Sequence, residues 1–262
     1  MKELTIVKIG GNVIGQAENL KQFLSDFCEL KGHKILVHGG GKLADQLSQK
    51  LGYEVKLIDG RRITDESAIK VVTMVYGGLI NKQIVAALQG FKCNAMGLTG
   101  ADANLILSHK RPDRGIDYGY VGDIDHVDAV GIQALLEQGI TPVFAALTHD
   151  GQGNLLNTNA DTIAASLATA ASHLFNVRLI YCFEKKGVLT NISDDDSIIN
   201  CLSYEHYQEL RKSGTIAQGM LPKLDNAFET IGHGVKEVII CHAGDLKKIT
   251  LDKKSLGTKL EF

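Results

Sequence analysis

The sequence predicts an α/β protein with a mainly parallel open sheet and helices on both faces. Three observations carry this. Short apolar runs recur along the whole chain, bounded by Gly, Asn, Asp or His. Between many of them, apolar residues fall at helical spacing. Crossovers of that length join neighbouring parallel strands and cover both faces of the sheet.

Taken in order, residues 4–9 read as a buried strand. Leu20, Phe23, Leu24, Phe27 and Leu30 then mark one face of a helix. Residues 34–38, KILVH, form the next strand, and a helix follows from about Leu43 to Leu51. The stretch YEVKLIDGRRITD predicts a hairpin turning at Asp59-Gly60. A long helix runs from about Glu66 to Leu88. CNAMGL is a third buried strand, residues 104–127 are short β pieces with turns, and ITPVFAAL is a fourth core strand. GQGN marks a turn before a helix that starts near Ala160. VRLIYCF is a fifth core strand, residues 203–212 and 220–232 are helices, VKEVIIC is a sixth strand, and GTKLEF closes the chain. No linker, repeat or low-complexity segment interrupts this order, so residues 1–262 are expected to form one domain, with a soft boundary near residue 174.

Composition narrows the function classes. The chain has 262 residues, 44% hydrophobic, with a net charge of −2, so no basic balance points to nucleic acid. No apolar run approaches the length of a membrane span and no signal peptide is present, which predicts a protein without membrane contact. Cys28, Cys93, Cys182, Cys201 and Cys241 are odd in number and lack a C-x-x-C pair, as in a reduced cytoplasmic protein. The histidines show no paired helical spacing, so no metal site is expected. His38 reads as a hydrogen-bonded strand-end histidine. Asp194–Asp195–Asp196 reads as a solvated loop.

Ligands of such a sheet bind beyond the carboxyl ends of its strands, so the strand-end loops are where chemistry is expected. In KIGGN, Lys8 is an ammonium group at the end of a buried strand. Gly10 and Gly11 behind it let backbone amides approach an anion. In VHGGGKLADQL, Gly39, Gly40 and Gly41 place amides at the head of a helix, a second anion site. Gly39, Gly41 and Ala44 also satisfy G-x-G-x-x-A with Asp59 about twenty residues on, which is a dinucleotide reading. Against it, the fingerprint belongs to the first strand of its unit, and here a complete βα unit precedes it. In GRRITD, Arg62 can grip a carboxylate in a bidentate fork. In NTNAD, Asn157 and Asn159 can cap a helix or bind a polar ligand, and Asp161 enters its first turn. In GMLPK, Lys223 occupies a first turn, where the helix dipole disfavours a cation unless an anion binds nearby.

KIGGN, VHGGGK, GRRITD, NTNADT and GMLPK occur in this order across nearly the whole chain, with MVYGGLINK, GLTGAD, GYVGDID and GVKEVII between and after them. From about residue 5 to Thr258 the chain resembles the amino acid kinase family, and within it the N-acetylglutamate kinases of arginine biosynthesis. It departs where the family has Ser/Thr-Asp after the fifth core strand. Here the residues are Phe183-Glu184, then Lys185-Lys186, in a stretch that borders the nucleotide in the family. Arg61, Lys42 and Ala101 also differ from the usual residues.

The resemblance implies an αβα sandwich that transfers phosphate from ATP to the side-chain carboxylate of an N-acylglutamate, acetyl or succinyl, giving an acyl phosphate. Residues 1–174 would be an N-terminal lobe for the acylglutamate and 175–262 a C-terminal lobe for the nucleotide. Lys8 would meet the transferring phosphate with the amides around Gly10 and Gly11. Lys223 would approach the leaving side, and Asp161 would hold both lysines. Gly40 and Gly41 would serve the acceptor, with Arg62 and Asn157 at its amino-acid end. Magnesium would arrive with ATP, held mainly by phosphate oxygens and water. Apolar residues on more than one face of the long helix, Met74, Leu79 and Val85 among them, predict a homodimer. With its first strand so near Met1, the chain lacks the N-terminal helix that links arginine-inhibited members into hexamers, so no arginine response is expected. Kinases of the same fold acting on carbamate, aspartate, glutamate or UMP, and a nucleotide-binding sensor, are the rival readings.

Overall fold

The computed structural model describes the chain except for residues 59–60, 192, 217–219 and 253, and except for the side chain of Pro222. The predicted turn at Asp59-Gly60 and the first residue of GMLPK, Gly219, lie outside the described residues.

Strands and helices alternate as β1 (Lys2–Ile9), α1 (Gly11–Ile14), α2 (Ala17–Glu29), β2 (His33–His38), α3 (Gly41–Lys50), β3 (Leu57–Ile58), β4 (Arg61–Arg62), α4 (Glu66–Val72), a π-helical segment (Thr73–Ile80) and α5 (Asn81–Gly90). Then come β5 (Ala95–Leu98), β6 (Ile106–Lys110), β7 (Gly122–Val127), α6 (Ala129–Glu137), β8 (Thr141–Ala145), β9 (Leu147–His149), β10 (Leu155–Asn157) and α7 (Ala160–Ala171). The last third holds β11 (Phe175–Phe183), β12 (Cys201–Ser203), α8 (Tyr204–Lys212), α9 (Leu221–Gly232), β13 (Glu237–His242), α10 (Leu246–Thr250) and β14 (Thr258–Glu261).

One eight-stranded sheet, ordered β12-β14-β13-β11-β1-β2-β8-β5, runs through the molecule. It is parallel except where β13 meets β14. The central strands are apolar throughout because both faces are covered: Leu4, Ile6, Val7 and Ile9 of β1, and Val177, Leu179 and Ile180 of β11, are buried. From β1 the strand order runs outward through β2 on one side and β11 on the other. The carboxyl ends of β1, β2 and β11 therefore face the switch point where such sheets bind ligands.

Several details depart from the sequence reading. CNAMGL forms the edge strand β5, where Met96 is exposed, so it is not buried like the others. ITPVFAAL is split: β8 stays in the large sheet, and β9 leaves it for a small sheet ordered β10-β9-β6-β7. Helix α6 is short, and its apolar residues lie on more than one face, which blurs its period. Its local signal is Asp128, whose side chain caps it by accepting from the Gly131 amide at 2.9 Å. The helix Glu66–Gly90 is long and apolar enough, by length and composition, to cross a membrane. Its uncharged stretch, residues 71–81 between Lys70 and Lys82, is still well short of a span. Here Ile69, Val71, Val72, Val75, Ile80, Ile84 and Leu88 from this helix join the common hydrophobic core.

Lys34 shows how a buried ammonium group is settled without a ligand. Its Nζ donates to the carbonyls of Phe27, Cys28 and Leu30 at 3.1, 2.6 and 3.1 Å, satisfying the end of α2. Lys8 is settled differently.

Candidate active site

Lys8 lies near the end of β1, with its side chain only 10% exposed, and its Nζ is 2.8 Å from Asp161 Oδ1. The other oxygen of that carboxylate accepts from Lys223 Nζ. Three distant segments thus meet: the end of β1, the first turn of α7 and the first turn of α9. Asp161 is placed by Asn159, whose side chain accepts from the amides of Asp161 and Thr162 at 2.7 and 3.2 Å. Tyr181 of β11 donates to the Asp161 carbonyl at 3.2 Å. Burial alone would raise the Asp161 pKa, but the Lys8 and Lys223 charges outweigh it and hold the carboxyl at about 2. The cluster therefore carries one carboxylate against two ammonium groups. That surplus of positive charge sits at the head of a helix, where an anion completes the balance.

The glycines beside Lys8 do different jobs. The Gly10 amide is already committed to the Cys182 carbonyl at 2.8 Å, so it is not free for a phosphate as expected. Gly10 is needed for close approach: a Cβ there would stand 3.2 Å from Phe183 Cβ. The amides of Gly11 and Asn12 then open the first turn of α1. Asn12 Nδ2 donates to Glu184, joining this turn to the end of β11.

The second group lies beyond β2. His38 is fully buried. Asn81 Nδ2 approaches its Nε2 at 3.1 Å, and its Nδ1 lies 2.9 Å from the Gly39 carbonyl. Because the Asn81 amide can only donate there, Nε2 accepts and Nδ1 carries the proton. Burial lowers the His38 pKa to about 4, so it is a neutral structural histidine beneath the glycine loop. Gly39 reaches toward α7, since a Cβ on it would stand 3.7 Å from Ala160 Cβ, one residue before Asp161. The loop after β2 and the lysine–aspartate cluster are therefore neighbours.

Arg62 enters this loop from β4. It donates to Asp45 of α3 and to the Gly41 carbonyl at 3.3 Å. Asp45 was not legible as its partner, because nothing in the sequence ties a helix residue to a two-residue strand. Asn157 of β10 donates to Thr64 Oγ1 at 3.0 Å, so it stands with the segment that carries Arg62, while Asn159 serves as the cap. A Cβ on Gly40 would stand 2.3 Å from Ile80 and 2.9 Å from Tyr76, so its lack of a side chain admits the long helix.

The stretch after β11 is also paired. Lys185 and Lys186 pair with Asp195 and Asp196 at 2.7 and 2.8 Å, and the acidic run stays exposed, as expected of a solvated loop. Beyond them a small cleft is lined by Val188, Leu189, Ile216 and Met220.

Comparison with known proteins agrees with this geometry. Residues 3–242 match the amino acid kinase family. The acetylglutamate kinase of Cytophaga hutchinsonii is 56% identical over 261 residues, covering 99% of each chain. That of Bacteroides thetaiotaomicron is 53% identical over 246 residues, 94% of this chain and 96% of the other. Among solved structures, smu.665 from Streptococcus mutans superposes with a TM-score of 0.78 at 27% identity, covering 98% of both chains. An N-acetylglutamate synthase from Neisseria gonorrhoeae gives a TM-score of 0.85 at 20% identity, which is a likeness of fold. The present chain spans 59% of that longer protein. With lysines from β1 and α9 meeting on one buried aspartate, and a match over nearly its full length, this chain belongs to the amino acid kinase family.

Proposed function

We propose that the protein transfers the γ-phosphoryl group of ATP to the side-chain carboxylate of N-acetyl-L-glutamate, a step of arginine biosynthesis, in the cytoplasm. The observation that carries this reading is Asp161 between Lys8 and Lys223. The acceptor carboxylate is ionised at neutral pH and needs no general base. Catalysis then consists of positioning and charge stabilisation, which two ammonium groups fixed by one buried carboxylate supply. The carboxylate oxygen attacks the γ-phosphorus, the bond to the β,γ-bridging oxygen breaks, and ADP and an acyl phosphate result. Lys8, with the amides of Gly11 and Asn12, faces the transferring group, and Gly10 holds that turn against β11. Lys223 serves the leaving side. Asp161 positions both lysines. Gly40 and Gly41 face the acceptor's reacting end, and Arg62 and Asn157 its amino-acid end.

Magnesium would enter with the nucleotide, held mainly by phosphate oxygens and water; Asp161, whose two oxygens already face lysines, would not be its ligand. In this reading residues 1–174 form the acceptor lobe and 175–262 the nucleotide lobe, with the sheet continuous between them. A homodimer is part of the same proposal. Met74 and Leu79 of the long helix and Met96 of edge strand β5 are exposed, and Lys82 ties that helix to the Gly97 carbonyl at 3.2 Å. A two-fold contact would cover them.

An ADP-release assay across N-acetylglutamate, N-succinylglutamate, glutamate, aspartate and carbamate tests the substrate. N-acetylglutamate is expected to give the highest kcat/KM. A higher value for N-succinylglutamate would change the acyl group, with Arg61 as the candidate partner of the extra carboxylate. A higher value for any unacylated acceptor would overturn the reading.

A further inference from the structure

Tyr76 lies in the MVYGGLINK stretch without a role read from the sequence, and the structure brings it to the acceptor loop. It lies in the π-helical segment, whose wider turns often mark functional positions. Its ring and Ile80 press on Gly40, where a Cβ would stand 2.9 Å from Tyr76 Cδ1. Its hydroxyl reaches the next residue: a Cβ on Gly41 would stand 3.7 Å from Tyr76 Oη and equally far from Arg62 Nη2. The phenol and the guanidinium therefore converge over the first turn of α3.

Arg62 has donors and no acceptor, so toward it the phenol oxygen can only accept. The phenolic hydrogen is left over. No acceptor takes it among the described residues, and although Tyr76 is only 6% exposed, its hydroxyl is not among the sealed unpaired polar atoms and so keeps contact with solvent at the loop. A tyrosine hydroxyl at such an opening finds its partner in water or in a ligand that displaces it. An anion received by Arg62 at this opening would provide one.

The geometry points to Tyr76 as a specificity-determining residue of the acceptor side, its hydroxyl donating to the acceptor carboxylate that Arg62 receives. This rests on the acceptor reading of Arg62 given above. The Tyr76→Phe variant removes the hydroxyl and keeps the ring that packs on Gly40. Its KM for N-acetylglutamate is expected to rise about tenfold, as for loss of a hydrogen bond to a charged group. Its KM for ATP and the Tm of the unliganded protein should stay at wild-type values. An acceptor KM within twofold of wild type would overturn the inference. So would an equal rise in both KM values, or a lowered Tm with an unchanged acceptor KM. Wild-type protein that turns over no N-acylglutamate would instead overturn the acceptor reading itself, and the inference with it.

Discussion

The two halves of the site are built from different materials. At the phosphoryl end, Lys8, Asp161 and Lys223 come from a central strand and two helix heads, and Lys8 and Asp161 are nearly sealed from water. At the acceptor end, Arg62 and Asn157 come from strands of two and three residues, and their partners Asp45 and Thr64 are side chains of neighbouring segments. The first end is fixed by the core and can hold charge without reorganising, which is what stabilising a phosphoryl group in flight requires. The second depends on short elements, with Arg62 held by Asp45 and the Gly41 carbonyl. In the proposed reading, chemistry falls on the part fixed by the core and recognition on the part built from short strands.

The largest expected effect falls on the rigid end. Lys8→Ala should fold and lose about 10²–10³ in kcat, the usual consequence of removing one preorganised donor. Lys8→Arg should fail as well, since a planar fork does not replace a compact ammonium. A variant retaining more than about half of wild-type kcat would break the contrast, because the rigid end would then be dispensable.

A smaller effect, of another kind, is expected at the acceptor end. Arg62→Ala should raise KM for the acylglutamate about tenfold to a hundredfold, with KM for ATP little changed, for loss of roughly 1.5–3 kcal/mol of charge-assisted hydrogen bonding. Arg61, exposed on the same short strand, is the control. Equal weakening of both substrates, or a larger effect at Arg61, would blur the division between the two ends.

The smallest effect at neutral pH is a difference in acid sensitivity. His38, beneath the acceptor loop, is held neutral by burial, with its pKa lowered to about 4. The unfolded chain binds that proton first, so His38 removes stability as pH falls from about 6.5 to 4. Asp161 has its pKa lowered to about 2, so its contribution is complete above the ordinary carboxylate pKa and is lost as pH falls through about 2. Denaturant titrations at pH 7, 5 and 3 should therefore show a loss between the first two that His38→Gln largely removes. If His38→Gln keeps the same loss, the histidine is not its source.

The sequence made the rigid end readable because a lysine near the end of a buried strand is anomalous wherever it occurs. The order of the glycine loops then told where to look. The parallel core strands were readable for the same reason: both faces are covered, so their residues are apolar without alternation. What stayed hidden were pairings across the fold. Asp45 under Arg62, Tyr76 over Gly41 and the commitment of the Gly10 amide to Cys182 join segments with no common local pattern. The small sheet was hidden because its strands β9 and β10 are three residues each, too short for any period to show.

Strand β1 pairs with β2 on one side and with β11 on the other. During synthesis the first neighbour emerges at once, and the second only when the chain is about two-thirds made. At typical translation rates that leaves an apolar strand with one open edge for roughly ten to thirty seconds. Its lysine lacks a counter-charge for nearly as long. A nascent chain in this state presents the kind of edge that other strands join. Completion of the sheet by β11 closes that edge, and the same event brings Gly10 against Cys182.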